Sequence, residues 1–154
     1  MHSVFARFVQ ALLLVSLVVA LLGCAAQKGG NAVFEVRYLE IPVSNIERAV
    51  DFYEFVFGVE LERVVVDGYE MAHFPTLGDG KGADVTLAQG DVYIPSKTGA
   101  IIYFHVPDID AVMIRAAERG AETLYAKKKV APGTWVAEFE DSEGNRVALS
   151  QKNE

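Results

Sequence analysis

The sequence predicts an α+β fold made of two βαβββ units that follow one another in the chain. Three observations support this prediction. Short segments in the first half of the chain return in the second half at a nearly constant spacing. Each copy opens with alternating apolar and polar residues and continues with apolar residues at helical intervals. Turn signals rich in glycine then divide the remainder of each copy into three further strands.

Three pairs of matching segments define the repeat. They are G-x-x-V-x-L-x-Q at 82–89 and 144–151, IPVSNIERA and FHVPDIDAV at 41–49 and 104–112, and MAHF and VAEF at 71–74 and 136–139. The pairs keep the same order and nearly the same offset, which indicates a duplicated unit of about 60 residues. We therefore predict one domain at 33–151, with repeat one at 33–90 and repeat two at 99–151.

Repeat one begins with an alternating segment, 34–43, which predicts a strand. Ser44 is the expected N-cap of the following helix, because Glu47 stands three residues later, at the spacing of a capping box. Gly58 is expected to end the helix, since glycine readily adopts the left-handed conformation found there. Three more strands are predicted at 60–66, 69–74 and 83–89.

Repeat two follows the same order of elements. Its first strand is predicted at 100–106, and its helix at 109–119, ending before Gly120. Three strands complete the unit, at 123–130, 134–139 and 146–151.

The first residues of the chain form a separate segment. Residues 11–22 are an apolar run of 12 residues, shorter than the ~20 that a spanning helix needs and typical of a signal peptide. The run ends in LLGC, which resembles the lipobox of bacterial lipoproteins, where the cysteine is acylated and becomes the new N-terminus. We predict a removed signal peptide at 1–23, lipidation of Cys24 and a lipidated tether at 24–32.

This N-terminal segment predicts a location in the bacterial cell envelope. Acyl chains on Cys24 would anchor the protein to a membrane, with the domain facing the periplasm or the exterior. Ala25, rather than an acidic residue, follows the cysteine, and by the usual sorting pattern of such lipoproteins this favours the outer membrane.

The charge and cysteine content exclude several functional classes. The signal segment holds one of the 14 basic residues and none of the 21 acidic ones, so the mature chain carries a net charge of −8. An acidic body argues against nucleic-acid binding. Cys24 is the only cysteine, which excludes an intramolecular disulfide and a thiol nucleophile in the folded domain.

Three segments resemble signature regions of the vicinal oxygen chelate superfamily, which includes glyoxalase I, bleomycin-resistance proteins and extradiol dioxygenases. They are EIPVSNIERAVDFYEFVFG at 40–58, FHVPDIDAV at 104–112 and DSEGNRVALS at 141–150. The resemblance implies the glyoxalase/bleomycin-resistance fold, in which two units form a cup-shaped mixed sheet that holds a ligand or metal. It also implies a homodimer, because members of the superfamily often pair their units across subunits.

The resemblance argues against a metal cofactor in this chain. Metal-using members carry His, Glu or Gln ligands at four strand positions, which correspond here to Tyr38, Thr86, Ile101 and Ala148. Ile101 and Ala148 have no donor atom, and divalent metals need nitrogen, sulfur or oxygen ligands. We therefore predict neither a metal nor another cofactor.

Alternation within the strands predicts which side chains line the cup. The predicted lining is Tyr38, Glu40 and Pro42; Ile101, Tyr103 and His105; Asp84, Thr86 and Ala88; and Arg146, Ala148 and Ser150. A desolvated carboxylate can act as a general base, so Glu40 is the candidate base and His105 its partner acid.

The remaining predicted contacts to a ligand are Tyr38 and Tyr103, as hydrogen-bond donors to a carbonyl or enolate, together with Arg146 and Thr86. These residues suit a metal-independent lyase or isomerase that abstracts a proton next to a carbonyl. Two alternatives stay open. Glu40 could form a structural ion pair with Arg146 or Arg37, and the cup could sequester a small molecule without reaction, as bleomycin-resistance proteins do. The sequence therefore does not decide whether the protein is an enzyme.

Overall fold

Residues 35–76 and 82–152 are described by a computed structural model of the chain. The signal peptide, Cys24 and the whole tether at 24–32 lie outside these residues. The described chain forms two helices and eight strands: β1 Tyr38–Val43, α1 Ile46–Phe57, β2 Glu62–Val66, β3 Tyr69–His73, β4 Asp84–Gln89, β5 Ile102–His105, α2 Ile109–Glu118, β6 Thr123–Ala131, β7 Thr134–Glu140 and β8 Arg146–Lys152.

Each repeat forms its own four-stranded mixed sheet with one helix. The strand orders are β1-β4-β3-β2 and β5-β8-β7-β6. In each sheet the first and last strands of the repeat are parallel, and the other neighbours are antiparallel. The predicted α+β class and the two βαβββ units are confirmed.

Helix α1 begins one residue later than the sequence predicted. Asn45 is the N-cap, and its side chain accepts a hydrogen bond from the Arg48 backbone N–H at 2.9 Å. Such a cap stabilises a helix by about 1 kcal/mol. Gly58 ends the helix in the left-handed conformation, with φ of 67°, as expected. The capping-box assignment to Ser44 was therefore wrong, because the asparagine next to it competes successfully for the same role.

Helix α2, in repeat two, is also capped by a polar side chain at its N-terminus and followed by a glycine. Asp108 caps its N-terminus by accepting from the N–H groups of Asp110 and Ala111. The last helical residue is Glu118, and Gly120 then adopts a φ of 80°. No helix in the described part of the chain is long and apolar enough to cross a membrane.

One hydrophobic core joins the two repeats. The helix-facing sides of both sheets contribute to it, with Ile41 and Leu87 from the first sheet and Phe139 and Leu149 from the second, each nearly or fully buried. Phe52 of α1 packs against Phe139 of β7, with ring centroids 6.1 Å apart. The repeats therefore stabilise each other through shared apolar burial, which is the dominant favourable term in folding.

The turn between β7 and β8, in repeat two, forms hydrogen bonds with repeat one. The Asp141 carboxylate accepts from the buried Tyr53 hydroxyl at 2.7 Å and from the Asn145 side chain at 2.9 Å. Asn145 also donates to the Pro42 carbonyl of β1 at 2.9 Å. Burial raises the pKa of Tyr53 well above its ordinary value, and the Asp141 carboxylate raises it further. The phenol therefore stays a neutral donor.

Candidate functional site

The predicted cup residues lie on the sheet faces that point away from the shared core. In the first sheet Tyr38 pairs with Asp84 and Glu40 with Thr86. In the second sheet the corresponding pairs are formed by Tyr103 with Ala148 and by His105 with Ser150. Among the described strands, β1 is bonded only to β4 and β5 only to β8, so both first strands are sheet edges.

A cavity of about 290 Å³ lies beside these edges, and we call it the Glu40 cavity. Its charged side chains are Glu40 and Arg146, and Asn145 and Ser96 add polar groups. The rest of its lining is apolar or backbone: Leu39, Ile41, Pro42, Ile94, Gly99, Ala100, Ile102, Phe104 and Val147. An apolar wall with a few polar groups is the usual composition of a small-molecule site.

Glu40 contacts a tyrosine of the irregular segment between β4 and β5. The Tyr93 hydroxyl donates to the Glu40 carboxylate at 3.2 Å. Desolvation raises the pKa of Tyr93, and its hydrogen bond to Glu40 adds to the effect. The Tyr93 ring packs edge-on against Tyr69, at 5.4 Å between centroids. Gly90 permits this packing, since a Cβ there would lie 2.3 Å from the Tyr69 ring.

Arg146 pairs with a carboxylate other than Glu40. Its Nε lies 2.9 Å from Oε2 of Glu138, whose side chain is only 10% exposed. The two groups attract as charges, but they are not aligned as a hydrogen bond, and the buried Nε has no other hydrogen-bond partner in the described structure. The alternative in which Glu40 pairs with Arg146 is therefore not observed, because Tyr93 contacts Glu40 and Glu138 contacts Arg146.

A second cavity, of about 570 Å³, contains the predicted acid His105 together with Tyr103. Its apolar wall includes Phe57, Phe74 and Phe104, and we call it the phenylalanine cavity. Leu39, Ile102 and Phe104 line both this cavity and the Glu40 cavity. Glu40 and His105 thus border different cavities of one chain.

The other two predicted ligand contacts lie in the first sheet. Tyr38 is 46% exposed, and its hydroxyl donates to the Met71 sulfur at 3.9 Å. Thr86 is fully buried, and its hydroxyl lies 2.6 Å from Nδ1 of His73. Thr86 is therefore placed to support the His73 ring, and a ligand would have to displace that ring to reach it.

The four positions that carry metal ligands in metal-using relatives do not fit a metal here. The hydroxyls of Tyr38 and Thr86 are engaged by Met71 and His73, and Ile101 and Ala148 are aliphatic. Over residues 35–76 and 82–152, no three His, Cys, Asp or Glu side chains are grouped to hold a metal ion. Metal independence stays a prediction.

Two residues of the site were missed by sequence reasoning. Glu138 could have been found, because alternation along β7 puts it on the face opposite to buried Ala137 and Phe139. Tyr93 lies in an irregular segment, 53 residues from Glu40, and no sequence pattern links the two. A further cavity of about 500 Å³ beside α1 is lined by several charged residues, of which Arg119 and Asp51 form an ion pair with each other.

Comparison with known proteins identifies the relatives of this chain. The model of the Glyoxalase/Bleomycin resistance protein/Dioxygenase superfamily matches residues 35–149. A glyoxalase family protein from Bacillus cereus is 21% identical, with a TM-score of 0.63, and the match covers 82% of this chain and 99% of that one. A glyoxylase/bleomycin resistance protein/dioxygenase domain from Frankia sp. EAN1pec is 18% identical, with a TM-score of 0.62 and coverage of 79% and 100%.

A third solved structure has a described ligand class. TnmS3, an antibiotic binding protein from Streptomyces sp. CB03234, is 27% identical with a TM-score of 0.55, and the match covers 79% of this chain and 98% of TnmS3. No curated protein matches the chain significantly.

Proposed function

Because the chain belongs to the Glyoxalase/Bleomycin resistance protein/Dioxygenase superfamily, we propose that it binds a small organic molecule in the Glu40 cavity. The observation that carries this proposal is the composition of the cavity. Two charged side chains, Glu40 and Arg146, stand in an otherwise largely apolar lining of about 290 Å³. Such a site takes a compact, mostly apolar molecule, with a hydrogen-bond donor directed to Glu40 and an acceptor directed to Arg146.

Binding without reaction is favoured over catalysis. Proton abstraction needs a base and an acid that reach the same ligand, and Glu40 and His105 border different cavities of the chain. A relative of this fold, TnmS3, is an antibiotic binding protein, which supports sequestration as a function that the architecture permits.

Filling the Glu40 cavity is expected to abolish binding. A Cβ on Gly99 meets no atom within 4 Å, so Gly99→Trp adds an indole at the cavity wall without a backbone clash. We expect fragment-sized compounds to shift the backbone amide NMR signals of Glu40, Asn145 and Arg146 in the wild type. The same compounds should leave those signals unchanged in Gly99→Trp.

The matched control is Gly58→Asn, a glycine outside the cavity whose left-handed conformation asparagine tolerates. It should bind the fragments as the wild type does. The proposal fails if no fragment shifts the three signals, or if Gly99→Trp binds them unchanged.

Metal-independent proton abstraction is the second candidate function, supported by the position of the exposed Glu40 carboxylate on the wall of a largely apolar cavity. It requires a second copy of the chain to bring His105 to the ligand. Tyr38 and Tyr103 are 46% and 48% exposed on the two edge strands, and such half-exposed aromatic side chains are typical of protein interfaces. We therefore propose a homodimer that covers these faces.

Sedimentation velocity tests the dimer. The soluble domain is expected to sediment as a dimer, and Tyr103→Asp is expected to sediment as a monomer, since a charge would be buried in the interface. Ile114→Asp, a 61% exposed position on α2, is the control and should leave the dimer intact. A wild-type protein that remains monomeric up to about 100 μM, well above the range of obligate dimers, contradicts the proposal and the two-subunit catalytic site with it.

We also propose that the domain is tethered to a bacterial membrane through acylated Cys24, as LLGC predicts. Two or more acyl chains give stable anchoring. The full-length protein should therefore sediment with the membrane fraction and incorporate labelled palmitate, and Cys24→Ala should incorporate none. Ser44→Ala, which keeps Cys24, is the control for expression and labelling. Equal labelling of the wild type and Cys24→Ala contradicts the anchor.

A further inference from the structure

We propose that the phenylalanine cavity is a second small-molecule site, and that it takes an aromatic compound carrying a positive charge. This site adjoins the proposed Glu40 site, with which it shares Leu39, Ile102 and Phe104, but its existence does not depend on that proposal. It rests on the rings that line the cavity and on the charges at its rim.

The wall of the cavity presents aromatic rings that the core leaves partly uncovered. Phe57, Phe74 and Phe104 are half-buried, with ring centroids 4.9 Å apart for Phe57 and Phe104 and 5.6 Å apart for Phe74 and Phe104. Phe57 and Phe74 meet nearly at right angles, at 83°. The three rings therefore offer both faces and edges, and a further aromatic ring can stack or pack edge-on against them.

The cavity also has the capacity for a ligand. Its volume of about 570 Å³ lies within the range of about 300–1,000 Å³ found for drug-sized ligands. Leu39, Val59, Val85 and Ile102 continue the apolar wall. A molecule of two fused rings would bury most of its surface there, at roughly 25 cal/mol per Å² of apolar area removed from water.

The charged residues at the rim of the cavity favour a positively charged ligand. Asp84 lines the phenylalanine cavity and also an adjoining cavity of about 380 Å³, in which Glu60 and Glu62 stand as well. Phe74 is common to both cavities. In the described structure no lysine or arginine lines either one. A positively charged group at the rim is therefore attracted by the carboxylates and by the faces of the phenylalanine rings. A negatively charged group is repelled by the carboxylates.

Three probes that share a naphthalene ring and differ in charge provide the test. The probes are 2-naphthylmethylamine, 2-naphthylmethanol and 2-naphthoate, titrated calorimetrically into the soluble domain at low salt and pH 7. The amine is expected to bind about 5- to 10-fold more tightly than the alcohol, which corresponds to the ~1 kcal/mol of an exposed ion pair. The naphthoate should bind most weakly of the three.

Two variants assign the binding to this site. Asp84→Asn should reduce the preference for the amine over the alcohol at least threefold, with the affinity for the alcohol unchanged. Glu118→Gln, which removes an exposed carboxylate at the end of α2, is its control and should preserve the preference. Ala83→Trp, which adds an indole to the cavity wall, should abolish binding of all three probes.

The outcomes separate this proposal from the proposed function. Gly99→Trp fills the other cavity and should leave naphthylmethylamine binding intact. The second site is refuted if the amine does not bind, if the naphthoate binds as tightly as the amine, or if the preference survives Asp84→Asn. Binding that Gly99→Trp removes and Asp84→Asn leaves unchanged would place the probe in the Glu40 cavity and refute only the second site.

Discussion

Glu143→Ala is expected to lower the free energy of unfolding by about 2–3 kcal/mol, although the residue lies in the turn between β7 and β8. Its side chain is fully buried. One carboxylate oxygen accepts from the Ser44 and Asn45 backbone N–H groups at 3.0 and 3.1 Å, and both oxygens accept from the Arg48 guanidinium at 2.8 Å. The substitution therefore removes an anion from the N-terminus of α1, where the helix dipole favours negative charge.

The pKa of the Glu143 carboxylate indicates how the stability of the domain depends on pH. The pKa of Glu143 lies below its ordinary value: burial, the largest single influence, would raise it, but the hydrogen bonds from Arg48, Ser44 and Ser142 together outweigh burial. Because the pKa is lower in the folded state, the ionised carboxylate stabilises the fold at pH values above the pKa of the unfolded state, about 4.3 for glutamate. This stabilisation is lost as the pH falls through the pKa of the folded state. Glu143→Gln should therefore differ most from the wild type at neutral pH and least in acid.

Urea denaturation at pH 7 and at pH 3.5 measures both effects. Glu47→Gln is the matched control, because Glu47 of α1 also pairs with an arginine, Arg63 of β2, but its side chain is 77% exposed. That control should lose less than about 1 kcal/mol. A loss from Glu143→Ala no greater than that of the control would show that this contact between the repeats contributes little.

Phe104→Ala is expected to destabilise the domain by about 3 kcal/mol, the lower end of the range for truncating phenylalanine, because the ring is half-buried. Phe104 packs on Phe57 of α1 and on Phe74 beyond β3, so it connects the second sheet to both elements of the first repeat. It also lines both the Glu40 cavity and the phenylalanine cavity. We therefore expect weaker naphthylmethylamine binding by the folded variant as well.

Thermal and urea unfolding check the stability effect, and the neighbouring residue is the control. Tyr103→Ala removes an aromatic side chain of the same strand that is 48% exposed on the opposite face, and should change the stability of the monomer by less than about 1 kcal/mol. Phe104→Leu should recover most of the loss. Equal effects of Phe104→Ala and Tyr103→Ala would contradict the assignment of Phe104 to the packing between repeats.

The fold could be predicted from the sequence because its signals are local and occur twice. Strand alternation, helical spacing and the stops at Gly58 and Gly120 act within a few residues, and each repeat corroborates the other. All eight strands and both helices were predicted, with boundaries that coincide or differ by at most four residues. Ser44 failed as the N-cap because two adjacent residues are both suitable caps and only tertiary contacts decide between them.

The candidate site could be predicted only in part. Alternation correctly identified which side chains share a face with Glu40 and with His105, since the period of a strand is a local property. It could not predict that Tyr93 holds Glu40 or that Glu138 engages Arg146, because these partners depend on how a loop and neighbouring strands are placed.

The sequence by itself therefore determined the resemblance to the family, the duplicated βαβββ architecture and the faces that could carry a site. Only the tertiary structure decided how that surface is divided into cavities. The placement of the two sheets puts Glu40 with Arg146 in one cavity and His105 with three phenylalanines in another. The physical reason is that periodicity sets the direction of a side chain along its own strand, whereas the relative placement of the two sheets follows from the packing of the shared core.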